Sequence, residues 1–301
     1  MNASGAVIAT EGRDAATAGL ERPQSKGVLT VRPDEAVTVE RHWPSEEAAA
    51  FVRHYWIPRW TLAPGVSVRQ DILEYPTANL AIEPDAAALY RARRGRSARV
   101  LSGSGWALGV LLRPGAARGL VGGSLRAAPA VIRLDSLALP DVAGLTERVR
   151  TRMLAGDDRG AIEAFETWLV TSVAAPDDDA ALVDAIVYEV ENDHDITRVE
   201  QLASRFDLGV RHLQRLVAGH IGFGPKWLIQ RYRLQEAAAA LRSGDAPPLA
   251  EVAARLGYAD QAHFGREFKA VIGATPGAYL AAALAAGADG AGAEPGETTS
   301  R

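Results

Sequence analysis

The stretch HLQRLVAGHIGFGPKWLI, His212–Ile229, returns 51 residues later as HFGREFKAVIGATPGAYL, His263–Leu280. Five positions are identical in the two copies: His212 and His263, Arg215 and Arg266, Ile221 and Ile272, Gly222 and Gly273, Pro225 and Pro276. An internal repeat of this kind marks one structural unit used twice. A shorter apolar segment precedes each copy: Val199, Leu202, Ala203 and Phe206 in VEQLASRF, then Leu249, Val252, Ala253 and Leu256 in LAEVAARL. Thr197 with Glu200 reads as a capping box before the first, and Pro247-Pro248 starts the second. The turns DLG and GYAD follow, the second longer by one residue. Two short helices joined by a tight turn, with the second helix basic, predict a helix-turn-helix, here present twice.

At about 100° per residue, Val210, Leu213, Leu216 and Val217 share one face of the second helix, which must be buried. Arg211, Gln214 and Arg215 lie together on the opposite face. Arginine suits guanine O6 and N7 and glutamine suits adenine N6 and N7, so these three are the expected base readers. In the second copy the buried stripe is Phe264 and Phe268, and the positions of equivalent angle hold Ala262, Gly265 and Arg266. Gln261 remains within reach of a base edge and Ala262 of a thymine methyl. The sequence therefore predicts an unequal pair, the first unit discriminating and the second fixing register. His212 and His263 sit at the side of each helix, as orienting or packing residues. Between the units, Pro225–Leu241 (PKWLIQRYRLQEAAAAL) reads as a connecting helix begun at Gly224-Pro225, with Lys226, Arg231 and Arg233 as phosphate contacts alongside Lys269.

Charge agrees with this reading. The chain is net −4, yet eight acids and no Lys or Arg fall between 177 and 195, whereas Ile196–Leu280 holds eleven basic and seven acidic residues, net +4. A locally basic module in an acidic protein points to nucleic acid.

The C-terminal motifs LASRF, HLQRL, GFGP, YRLQEAAAAL, EVAARLGYADQAHFGREFK and GATPGAY resemble those of the AraC/XylS family of bacterial regulators. That resemblance implies a bipartite promoter-binding domain joined to a variable N-terminal domain for effector binding or dimerisation. By matched position it assigns base reading to Arg211, Gln214, Arg215, Gln261, Ala262, His263 and Arg266. Ala262-His263-Phe264 departs from the commoner Ser-Tyr-Phe and removes a hydroxyl donor. RHWPSEEAAAFVRHYWIP, QDILEYPTANLAIE and GWALGVLLRPGAARGL resemble the cupin-like sensor domains fused to such regulators in high-GC actinobacteria, which implies a small β-barrel.

The rest of the chain fits an α+β protein. At 301 residues two domains are expected. Residues 1–27 and 284–301 are Ala/Gly/Glu-rich and read as disordered tails. Residues 28–175 read as a sensor and dimerisation domain, with short Val-, Ile-, Leu- and Trp-rich runs forming a barrel over 28–139 and helices over 140–175. Within it, Pro44–His54 reads as one short helix capped by Ser45. Val142, Leu145, Val149 and Met153, then Phe165, Trp168 and Leu169, give the stripes of an antiparallel helix pair. Residues 177–283 are the all-α DNA-binding domain, opened by a helix from Asp177–Asp179 through Val190.

Trp56, Trp60, Tyr75, Asn79 and Trp106 are the candidates for lining an effector pocket. Aromatic residues in a small barrel also serve as plain core. RARRGRSAR, with arginines at 91, 93, 94, 96 and 99, invites an anionic ligand or a DNA-backbone role, but a solvated hairpin tip is the preferred reading, because charged turns protect β edges. With no cysteine, thiolate sites and cysteine nucleophiles are excluded, and no His-x-His or His-x-x-x-His pair offers a metal site. No catalytic residue and no cofactor is expected. A cupin-type enzyme using His42 or His54 with Ser102 or Ser104 is the weaker alternative, for SGSG is no nucleophile elbow. No apolar run reaches signal-peptide or membrane-span length, which predicts a cytoplasmic protein. The expected partners are double-stranded promoter DNA, RNA polymerase, an unidentified small-molecule effector and a second copy of the chain. The competing regulator is one without ligand, whose N-terminal half serves only to dimerise.

Overall fold

Strand β2 (Val52–Thr61) organises the N-terminal half, because its sequence VRHYWIPRWT presents large side chains alternately to two faces. In the computed structural model, described over residues 36–72, 75–243 and 247–291, β2 pairs with β1 (Val37–His42), β7 (Ser104–Trp106) and β8 (Leu108–Leu112). The sheet continues through β4 (Asn79–Ile82) and β5 (Ala87–Tyr90) to β9 (Val131–Arg133), all antiparallel. Strands β3 (Ser67–Ile72) and β6 (Ser97–Ser102) form a separate two-stranded ribbon.

One sheet face carries Tyr55, Ile57, Leu80, Ile82, Leu89, Leu108, Val110 and Leu112, all buried. It packs against α1 (Ala117–Val121), α2 (Val142–Leu154) and α3 (Asp158–Ser172) in a single core. Val142, Leu145, Val149 and Met153 of α2 and Phe165, Trp168 and Leu169 of α3 lie in this core, so the helix stripes read from the sequence are spent on the sheet. On the opposite face Trp56 and Trp60 lie over Gly109 and Gly105, where any added Cβ would overlap the indole rings.

Two expectations for this half are corrected. Among the described residues the sheet runs from β1 to β9 without joining its edges, so the α+β class holds but the barrel is not closed. Nor does Pro44–His54 form a helix. Ser45 Oγ does accept from the Ala48 N–H at 3.3 Å, but residues 46–51 form only turns before β2 begins. From Val52 the β-branched and aromatic side chains favour the extended chain, which gains partners on both sides.

The C-terminal half is helical: α4 (Asp178–Asn192), α5 (Val199–Arg205), α6 (Val210–Ile221), α7 (Pro225–Ser243), α8 (Leu249–Arg255), α9 (Gln261–Ile272) and α10 (Pro276–Ala291). Asp177 caps α4 by accepting from the Ala180 N–H at 2.8 Å. One core gathers α4, α5, α6 and the first half of α7. The other gathers the second half of α7 with α8, α9 and α10. Helix α10 carries residues 284–291, which were expected to be tail. Their alanine content favours helix once the preceding turns are docked. The tail 1–27 lies outside the described residues.

The glycine at 109 is therefore a packing residue. Gly109→Ala should lower the unfolding free energy by about 1–3 kcal/mol in urea denaturation, the cost of overpacking. A variant as stable as the parent would contradict the stacking of Trp56 on the bare strand.

Candidate nucleic-acid interface

The two helix-turn-helix units are built alike. Helices α5 and α8 start 50 residues apart and α6 and α9 start 51 apart, so the extra residue sits in the second turn. Each turn bends through one left-handed residue, Asp207 at φ 51° in the first and Gly257 at φ 76° in the second. Asp tolerates this conformation and Gly adopts it freely. Both second helices end on a left-handed glycine, Gly222 and Gly273, each at φ 90°, and each N–H closes back on a carbonyl four residues earlier.

The cap of α5 differs from the expected Thr197–Glu200 pair. Gln201 Oε1 accepts from the backbone N–H groups of Thr197 at 3.1 Å and Arg198 at 2.9 Å. Gln201 stands at the third helical position after the Arg198 N-cap, the geometry that reaches back to that backbone.

On α6, Leu213, Leu216, Val217 and Ile221 are buried, while Arg211, His212, Gln214 and Arg215 are exposed together. His212 Nδ1 lies 3.2 Å from Arg215 Nη2. On α9, Phe264, Phe268 and Ile272 are buried, whereas Gln261, Ala262, Arg266 and Lys269 are exposed. Asp260 caps α9 by accepting from the His263 N–H at 2.7 Å. The half-buried His263 ring meets the Tyr258 ring edge-on at 5.3 Å and lies 3.4 Å from Glu267. Tyr258 donates its hydroxyl to Glu267 at 2.9 Å. Burial, with the Glu267 carboxylate beside it, pushes that phenol above its ordinary range. The His263 ring is thus held between Tyr258 and Glu267 at the start of α9.

Of the four phosphate candidates, Lys226 and Lys269 are exposed, but Arg231 and Arg233 are 2% exposed and unavailable to DNA in this conformation. Arg233 donates to the carbonyls of Val190 and Asp193 and to Glu236, and meets His194 Nδ1. It ties α7 to the C-terminal end of α4. Arg231 lies over the Trp227 ring at 5.9 Å.

Arg91, Arg94 and Arg96 of the arginine run, expected at a solvated hairpin tip, dock on the helical half; Arg93, Arg94, Arg96 and Arg99 stay exposed, but β5 and β6 pair with other strands and form no hairpin. Arg91 and Arg94 lie over the Phe223 ring at 5.5 and 5.3 Å, and Phe223 stacks on Trp227 at 4.3 Å. A Cβ on Gly222 would overlap the Arg91 guanidinium, and one on Gly273 would overlap that of Arg96. Nothing local in the sequence links this β5–β6 connection to positions 222 and 273. The two halves also meet elsewhere. The Leu125 N–H donates to Gly219 O at 2.8 Å, Arg53 pairs with Glu191 at 2.9 Å, and the Gly115 N–H donates to Asp184 at 2.8 Å. Burial raises the Asp184 carboxyl above its ordinary range.

The effector candidates are only partly brought together. Trp56 Nε1 donates to Asn79 Oδ1 at 2.8 Å, and Trp60 lies on the same face, donating to Ser102 O. Tyr75 lies under the Arg53 guanidinium at 5.3 Å. Trp106 pairs with Arg59 on the opposite face and belongs to the helix-covered core, so it does not line a site with Trp56. One cavity of about 270 Å³ lies instead between Arg94 and Gly95 on one side and Trp227, Gln230 and Glu267 on the other. Burial and the nearby Arg41 and Arg53 lower the His54 pKa to about 4, which keeps the ring neutral. Glu40, His42 and Asp158 come within 4.8 Å of one another, but Arg59 grips both Asp158 oxygens and puts a positive charge there.

Residues 202–282 match a family described as a helix-turn-helix domain. Residues 40–128 match a domain of unknown function, DUF6597. The chain is 27% identical over 158 residues to the HTH-type transcriptional activator RhaS of Escherichia fergusonii, covering 49% of this chain and 56% of that protein. It thus spans little more than half the length of the curated relative it matches. Among solved structures it is similar to ToxT from Vibrio cholerae, with 15% identity, 81% and 97% of the two chains covered and a TM-score of 0.36. An unsaturated fatty acid-bound ToxT gives 12% identity, 86% and 97% coverage and a TM-score of 0.35.

The C-terminal half is a tandem helix-turn-helix domain. Over the matched residues this domain resembles the AraC/XylS type. Among the described residues no helix is long and apolar enough to cross a membrane.

If Arg233 is a structural tie, Arg233→Ala should lower the unfolding free energy by about 3 kcal/mol, because it strips a buried charge network. Unchanged stability with weakened DNA binding would restore the phosphate role.

Proposed function

We propose that the chain is a sequence-specific DNA-binding regulator of transcription in which α6 reads bases and α9 chiefly sets register. The observation that carries this is the contrast between two matching helices. Arg211, Gln214 and Arg215 stand side by side and exposed on α6, whereas the corresponding positions of α9 offer Ala262, Gly265 and Arg266. Gln261, Ala262 and Arg266 supply the second unit's contacts, with His263 holding the start of α9 in place. Two such helices on one rigid frame reach successive major grooves about 34 Å apart. Lys226 and Lys269 are placed to meet phosphates.

The N-terminal half acts as the control domain, with promoter DNA, RNA polymerase and a second copy as partners in the cytoplasm. A small-molecule effector would meet Trp56, Trp60, Tyr75 and Asn79. A second reading is a regulator that needs no ligand. It is favoured by the way Trp56 and Asn79 satisfy each other and the indoles fill the space over Gly105 and Gly109. A metabolite that raises the melting temperature of the full chain, and loses that effect in Asn79→Ala, separates the two.

For the DNA-reading claim, an operator is selected from random duplexes and binding is followed by fluorescence anisotropy. Arg211→Ala with Arg215→Ala should abolish the preference over scrambled duplex while thermal unfolding is retained. Arg266→Ala should cost less than Arg215→Ala, for which about 1–3 kcal/mol is expected. Lys226→Ala should weaken all duplexes alike and reduce the salt slope by about 1. Equal losses for Arg266 and Arg215 would remove the asymmetry, and an intact preference in the double variant would remove the reading helix.

A further inference from the structure

Helix α6 joins α7 through Gly222-Phe223-Gly224, a joint with a glycine on either side of a single aromatic residue. Left to itself, such a joint has wide backbone freedom. It is not left to itself. Arg91 and Arg94 lie over Phe223, the Arg91 side chain fills the space where a Gly222 Cβ would stand, and the Leu125 N–H binds Gly219 O. Five residues beyond Arg91, Arg96 covers Gly273, the matching residue of α9, and Ala270 O lies against Gly95.

One connection, running from β5 to β6, therefore touches the C-terminal ends of both recognition helices. These ends carry the partial negative charge of their helices, so guanidinium groups belong there. Between its two flanks this connection does not pack flush. The cavity of about 270 Å³ separates Arg94 and Gly95 from α7 and α9. The connection's hold on the helices thus runs through discrete arginine contacts and not through a continuous apolar interface.

We propose that Arg91, Arg94 and Arg96 are positioning residues that fix the spacing and tilt of α6 relative to α9, and so determine which half-site separation the protein accepts. The proposal rests on the DNA-reading roles given above for α6 and α9. It gives the N-terminal half a route to the DNA: a shift of the β5–β6 connection reaches both recognition helices at once. Arg93, exposed and outside these contacts, has no part in it.

The chain has no cysteine, so Gln214→Cys with Gly265→Cys places one spin label on each helix without background. Pulsed electron–electron resonance on the full chain should give one narrow distance distribution. Adding Arg91→Ala and Arg96→Ala should broaden it, and Arg96→Ala alone, at an exposed position, should broaden it through α9 with folding intact. Arg93→Ala should leave it unchanged. With unlabelled protein, Arg91→Ala with Arg96→Ala should lower affinity for the two-half-site operator about tenfold and flatten the dependence on half-site spacing, while affinity for the α6 half-site alone is kept. Superimposable distance distributions in the parent and Arg96→Ala would overturn the proposal. Broadening in Arg96→Ala, together with an unlabelled parent chain that lacks sequence preference, would instead refute the DNA-reading roles and leave the clamp standing.

Discussion

A single helix, α7, has to satisfy two hydrophobic cores at once. Leu228, Ile229 and Tyr232 complete the core of the first helix-turn-helix unit, and Leu234, Ala237, Ala238 and Leu241 complete that of the second. A helix enclosed on most of its circumference cannot keep an ordinary polar face. Its arginines are enclosed with it, and they persist because they are engaged. Arg233 is surrounded by carbonyl oxygens and Glu236, and Arg231 lies over Trp227. Deleting a buried charge partner costs far more than deleting a surface one. The connecting helix is thus shared by both cores, and the two units cannot be treated as independent beads on a linker.

Around this shared helix the two recognition helices diverge in chemistry while sharing backbone geometry. Helix α6 spends its polar face on long donors, two arginines and a glutamine, which are suited to base edges. Helix α9 spends its own on internal order: Asp260 caps it, Tyr258 and His263 pack at its start, and Glu267 collects Tyr258 and Gln230. Small residues at 262 and 265 leave the helix free to approach DNA closely but with few groups to discriminate it. The repeat conserves the scaffold of apolar stripe and glycine stop, and the divergence falls on the exposed positions, where folding imposes no constraint.

The helical half was legible in the sequence because its signals are local. The identities at His212/His263, Gly222/Gly273 and Pro225/Pro276 mark helix starts and stops, and the stripes at Leu213, Leu216 and Val217 or Phe264 and Phe268 mark the buried sides. The misreadings share a cause in contacts between residues distant in the chain. Arg231 and Arg233 look like phosphate contacts until both cores close around α7. The arginine run at 91–99 looks solvated until Phe223 and the two helix-capping glycines meet it. Strand β2 looks like the end of a helix at 44–54 until β1 and β8 pair with it, and whether the sheet closes depends on edge strands that no short window reveals. Trp106 shares its residue type with Trp56, but strand register and parity send it to the other face.

Hydroxyl-radical footprinting of the full chain on a selected operator tests the central claim most directly. Two unequal helices on one rigid frame predict two protected segments on the same face of the duplex, about one helical turn apart. Base substitutions should be costly in the segment under α6 and mild in the segment under α9. A single protected segment, or equal sensitivity to substitution in both, would contradict the account.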